Sequence, residues 1–151
     1  MPALLAVLVL LVTGCGGGDA GGDPSAFAAR TDGACRDLAA AVTTLRDGLV
    51  RSRATDEATA MATVLRRYAT RVRTVADGLA DGRPPADEQE FRSAAVRGLR
   101  RHAHAMTRAA QEVREGRVAR ELEGELRGGA LPTVPGPLLA HAPHCRRTSD
   151  G

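Results

Sequence analysis

Apolar residues recur at alternating steps of three and four through most of the chain, the spacing of helices that bury one face. The first such row is Cys35, Leu38, Val42, Leu45 and Leu49, with Arg36, Asp37, Arg46 and Asp47 mostly off it. The second is Ala58, Met61, Leu65, Tyr68, Val72, Val75 and Leu79, a stripe as narrow as a bundle seam. The third runs Phe91, Ala95, Leu99, His102, Met106, Ala109 and Val113. After Gly116 the phase slips, because Val118, Leu122 and Leu126 fall on a different line. That slip predicts a fourth helix, or a strongly bent extension, ending at Gly128-Gly129.

Start and stop signals divide these rows. Asp23 followed by Pro24 predicts an N-cap and a first helical residue, with Asp32-Gly33 as a second start. Thr55 or Asp56 suits the cap of the second helix, and Asp81-Gly82 with Pro84-Pro85 ends it. Asp87, with Glu90 three residues on, predicts a variant capping box at the third. Beyond Ala130, four prolines (Pro132, Pro135, Pro137 and Pro143) exclude a continuous helix, while Leu138 and Leu139 are expected to pack back. The expected fold is all-α: a three- or four-helix antiparallel bundle over residues 24–129, with an irregular Pro-rich tail over 130–151 stapled to it.

Composition agrees. Hydrophobic residues make up 43% of the 151, but much of that is Ala, and the aromatics are Phe27, Tyr68 and Phe91 alone. Ala buries little area, so the core is expected to be thin and built from Leu and Val. All 21 basic residues are Arg, and Lys, Asn and Ile, the residues of A/T-rich codons, are absent. A G+C-rich genome explains that excess, so the arginines alone say little about recognition. The formal charge of +3 implies at most a mild preference for anionic surfaces.

The amino-terminal end carries chemistry of its own. Ala3 to Val12 is an unbroken apolar run, too short to span a hydrocarbon core, which takes about 20 helical residues. It suits the apolar centre of a secretory signal peptide, although Met1-Pro2 supplies no basic side chain ahead of it. Val12-Thr13-Gly14-Cys15 then resembles the lipobox of bacterial lipoproteins: an aliphatic residue, two small residues and the cysteine that is modified. The resemblance implies a signal peptide over 1–14, cleavage before Cys15, and a diacylglyceryl thioether on that residue. Residues 15–23 then read as the lipidated cysteine and a flexible tether, with five glycines between Gly16 and Gly22. Two acyl chains suffice for stable anchoring. The expected location is the extracytoplasmic face of the cell membrane.

With Cys15 lipidated, Cys35 and Cys145 remain, and two thiols in an oxidising compartment are expected to pair. His141 and His144 beside Cys145 are weak metal candidates, too few for a closed site once the sulfur is in a disulfide. His102 and His104 point about 200° apart on a helix and cannot share an ion. His102, on the apolar row, reads as a hydrogen-bonded core residue. No cofactor is expected, and no Ser-His-Asp set, haem-attachment motif or phosphate loop appears. Glu121, Glu123 and Glu125 read as a solvated face balanced by Arg117, Arg120 and Arg127.

Arginines also flank the second seam (Arg66, Arg67, Arg71 and Arg73) and the third (Arg97, Arg100, Arg101 and Arg108). The plain reading is a solvated polar face; the alternative is contact with anionic lipid headgroups or wall polymers. Without aromatic stacking residues, nucleic acid is not an expected partner. The body resembles the small Ala/Arg-rich helical lipoproteins of high-G+C Gram-positive bacteria that keep two cysteines in the exported domain. The functional expectation is a non-catalytic interaction module of the cell envelope, held to the membrane by Cys15. The alternative is a small apolar ligand or a metal held between the helices, which an enclosed apolar pocket would favour.

Overall fold

The computed structural model describes residues 21–55, 58–117 and 131–149, with the backbone alone at 53–55 and 147–149. Three long helices dominate: α1 (Pro24–Thr55), α2 (Ala58–Ala80) and α3 (Gln89–Arg114). A 3-10 turn at Ala86–Glu88 precedes α3, and two short helices, α4 (Gly136–Ala140) and α5 (Pro143–Ser149), close the chain. The described residues contain no strand. Cys15 and the segment carrying Val118, Leu122 and Leu126 lie outside them. No described helix is long and apolar enough to cross a membrane.

The N-cap predicted for α1 forms. Asp23 Oδ1 accepts the Ser25 N–H at 2.9 Å and the Ser25 hydroxyl at 2.8 Å. The Ser25 side-chain bond, seconded by its backbone N–H, holds the Asp23 carboxyl below the usual carboxylate range. The second start at Asp32-Gly33 does not exist, because α1 continues unbroken through both residues. Tertiary packing overrides the local turn signal: Thr31, Ala34 and Cys35 are buried on either side, and the Asp32 carboxylate is engaged by the tail.

The face that α1 buries also differs from the predicted row. Val42 is 40% exposed and Leu49 is half-buried, whereas Thr31, Ala34, Leu38, Ala41, Leu45, Gly48 and Ser52 form the buried line. These positions still alternate by three and four, but several are small. Small residues let two backbones approach, and a Cβ added at Gly48 would lie 2.7 and 2.9 Å from the methyls of Val64 on α2. The tighter crossing won over the larger side chain.

Helix α2 lies between its neighbours, packed on α1 and more extensively on α3. Its direction opposes both. Arg71 reaches Thr44 and Arg30 reaches Gly78, while Tyr68 meets His102 and Asp77 meets Arg100. The α2 seam keeps Leu65, Tyr68, Val72 and Leu79 buried, but Ala62 and Ala76 replace the exposed Ala58 and the half-buried Met61 and Val75. In α3 the predicted row is buried from Phe91 to Ala109, with Val113 at its edge.

The predicted capping box at Asp87 and Glu90 is absent. The 3-10 turn carries the chain into α3, and neither the turn nor the helix receives a side-chain cap. Arg92 instead closes the preceding helix, donating to the Ala80 carbonyl at 2.8 Å and so satisfying one of the free C-terminal acceptors of α2. Gly116, at φ 73°, ends α3 in the left-handed region that glycine tolerates.

The glycine run ends inside the folded body. The Gly22 N–H donates to the Pro84 carbonyl at 2.9 Å, and a Cβ there would fall 1.7 Å from the Arg83 oxygen. The tail is irregular up to Pro135 and then forms its two short turns of helix, with Val134, Leu138 and Ala142 buried and Leu139 half-buried against the core. Helix α5 lies on α1.

Candidate functional site

A cleft lies between α1 and α2. Its volume is about 480 Å³ and it is open to solvent on one side. Ala41, Leu45 and Gly48 from α1 form its buried floor and the half-buried Val64 from α2 its apolar edge; Arg51, Arg66, Arg67 and Arg71 line it with charge. Among the described residues, no carboxylate lines it.

Threonines set the guanidinium positions. Thr44 and Thr63 each donate their hydroxyl to the carbonyl one turn back, Ala40 at 2.9 Å and Thr59 at 2.8 Å. With their protons committed, both oxygens accept from arginine: Thr44 from Arg71 at 3.3 Å across the cleft, and Thr63 from Arg66 at 3.3 Å. Among the described residues, no carboxylate lies within ion-pairing distance of Arg66, Arg67 or Arg71. The α3 arginines differ: Arg100 pairs with Asp77 at 2.9 Å, and Arg97, Arg101 and Arg108 are exposed outside the cleft. Arg73 is exposed as well and does not line it.

At the back of the cleft, Tyr68 is buried and shares a hydrogen bond of 3.1 Å with His102 Nε2. The two rings meet edge to face with centroids 5.6 Å apart. Burial raises the Tyr68 phenol above its ordinary value, so it stays neutral at any physiological pH. His102 is therefore the hydrogen-bonded core residue that its place in the apolar row implied, and His104 is exposed on another face.

The second polar cluster holds the tail. Cys35 and Cys145, 110 residues apart, are joined in a disulfide with a Cα–Cα distance of 5.1 Å, and both are fully buried. Beside it, the Asp32 carboxylate accepts the backbone N–H of His144 at 2.7 Å and meets its ring Nδ1 at 2.6 Å. His144 is thus a structural partner of Asp32, while His141 is exposed. The described residues hold no group of three or more His, Cys, Asp or Glu arranged to bind a metal ion. Glu121, Glu123 and Glu125 lie outside the described residues.

The row reading missed Thr44, Thr63 and Arg51 as neighbours of the α2 arginines. One signal was present: residues 58–76 contain four arginines and no acidic residue. A solvated helix usually intersperses charges of both signs. The chain matches no family model, no curated protein and no solved structure.

Proposed function

We propose that this chain is an exported lipoprotein, held by acyl chains on Cys15 at the outer face of the cell membrane, whose helical domain acts by binding and not by catalysis. The observation that carries the reading is the Cys35–Cys145 disulfide, which agrees with the compartment that the lipobox-like Val12-Thr13-Gly14-Cys15 implies. Two independent stretches of sequence, one at the amino-terminal end and one joining α1 to the tail, point to the same side of the membrane. The binding reading is supported by an open, arginine-lined cleft with no nucleophile–base pair described around it. Its opening to solvent favours a surface component of the envelope, or a protein of it, over a small apolar molecule or metal sealed between the helices.

Intact-mass analysis of the chain extracted from membranes tests the location. The expected product begins at Cys15, carries acyl mass there, and fails to appear in a Cys15→Ala variant. Full-length, unmodified chain in the cytoplasmic fraction would refute the anchor and the export together.

A further inference from the structure

We propose that the α1–α2 cleft is a binding site for a phosphate ester bearing an apolar substituent. This deepens the binding reading above by naming the chemistry of the ligand.

Arg66, Arg67 and Arg71 stand on two successive turns of α2 with no carboxylate facing them among the described residues. Arg67 and Arg71 are spaced i, i+4, where like charges destabilise a helix. An oxyanion in the cleft relieves that repulsion. Guanidinium groups present planar forks of N–H donors that match phosphate oxygens, and the threonine contacts leave most of those donors free. The two or three non-bridging oxygens of a phosphate ester use three guanidinium forks more fully than a single carboxylate does.

Shape supplies the second half. The half-buried Val64 and the aliphatic stems of the exposed arginines, over a floor of Ala41, Leu45 and Gly48, offer nothing to a bare inorganic ion but cover a small hydrocarbon substituent. A volume of about 480 Å³ lies in the range of small-ligand sites.

Such an ester has two sources, a phospholipid headgroup or a soluble molecule. Cys15 lies six residues before Gly21, so the tether spans at most ~20 Å. The cleft begins ~25 Å along α1 from Pro24, at the helical rise of 1.5 Å per residue. A headgroup reaches it when the bundle lies along the membrane; a soluble ester reaches it in any orientation.

The chain supplies its own reporter, because it has one tyrosine and no tryptophan, and that tyrosine lines the cleft. The full chain in uncharged detergent micelles is titrated with inorganic phosphate and with monobutyl phosphate, following Tyr68 fluorescence. In a separate arm the micelles are doped with phosphatidylglycerol. The expected result is a saturable response to butyl phosphate, with affinity roughly fivefold above that for inorganic phosphate. Arg67→Ala/Arg71→Ala is expected to weaken binding at least about tenfold, and Arg97→Ala/Arg101→Ala to leave it unchanged. If the cleft pair of substitutions lowers helicity, Arg67→Gln, which keeps the aliphatic stem, carries the comparison. Response to butyl phosphate assigns a soluble ester, and response to phosphatidylglycerol alone assigns the membrane. Silence toward both, an equal response in the cleft variant, or saturable binding of butyl phosphate no tighter than that of inorganic phosphate overturns the proposal. The readout does not depend on Cys15 lipidation, so an unacylated chain refutes the location and leaves the cleft standing.

Discussion

Asp32 on α1 and His144 on α5, 112 residues apart in sequence, make two hydrogen bonds through a single carboxylate, one to the backbone N–H and one to the ring. The backbone bond satisfies a free donor at the start of a short helix, so a side chain of one helix caps another. The ring bond requires the His144 proton on Nδ1, since an ionised carboxylate only accepts. Together with the neighbouring disulfide, this contact turns a proline-rich tail into part of the bundle.

Asp32→Asn is expected to lower unfolding stability by about 1 kcal/mol, the value of a charge-assisted bond discounted for partial exposure. Burial pushes the Asp32 carboxyl up, but the two His144 bonds and the charges of His144 and Arg36 outweigh it, leaving the group below its ordinary value of 3.8. A depressed carboxyl contributes stability above its unfolded value and loses it as pH falls toward the folded one. Urea denaturation should therefore show a decline in the wild-type chain below pH ~4 that is shallower in Asp32→Asn. Identical acid limbs would refute the assignment.

Removing the disulfide by Cys35→Ser/Cys145→Ser is expected to cost roughly 4 kcal/mol, because the bond closes a loop of 110 residues in the unfolded chain. Both sulfurs are buried, so thiol reagents should label neither cysteine in the native, non-reduced protein. Two labelled thiols under those conditions would contradict the pairing.

Gly48→Ala is expected to destabilise by about 1–3 kcal/mol, since the new methyl meets both Val64 methyls at the α1–α2 crossing. Val64→Ala in the same chain should recover much of that loss. A thermal-melt double-mutant cycle reads the coupling, and simple additivity would mean that the helices do not cross at this pair.

Glu88 is 8% exposed, and its Oε2 accepts no hydrogen bond among the described residues. Burial, with the nearby Asp87 charge, raises its carboxyl above the ordinary 4.5. A raised carboxyl favours the folded state while protonated and opposes it as pH climbs through the folded value. Glu88→Met is thus expected to stabilise the chain by about 1 kcal/mol at neutral pH, with the gain fading below pH ~4. Equal midpoints for the two proteins at pH 7 would count against it.

The alternation of three and four was enough to read the all-α bundle and most of the α2 and α3 rows, Asp23-Pro24 to read the cap, and the count of cysteines in an exported domain to read the pairing. Each rests on local spacing or on a residue count, which a linear reading contains. The buried face of α1 was legible at Cys35, Leu38 and Leu45 but not between them, because Ala41 and Gly48 look weaker than Val42 and Leu49 until α2 comes close enough to reward small side chains. Asp32 looked like a helix start for a similar reason: its partner stands 112 residues away. The cleft belongs to the same class, as arginines on α2 acquire meaning when an apolar wall and the Thr44 hydroxyl from α1 stand opposite them. What the linear order of residues decides here is periodicity, caps and cysteine number; what folding decides is which faces meet, since distance between remote residues is a property of the packed helices alone.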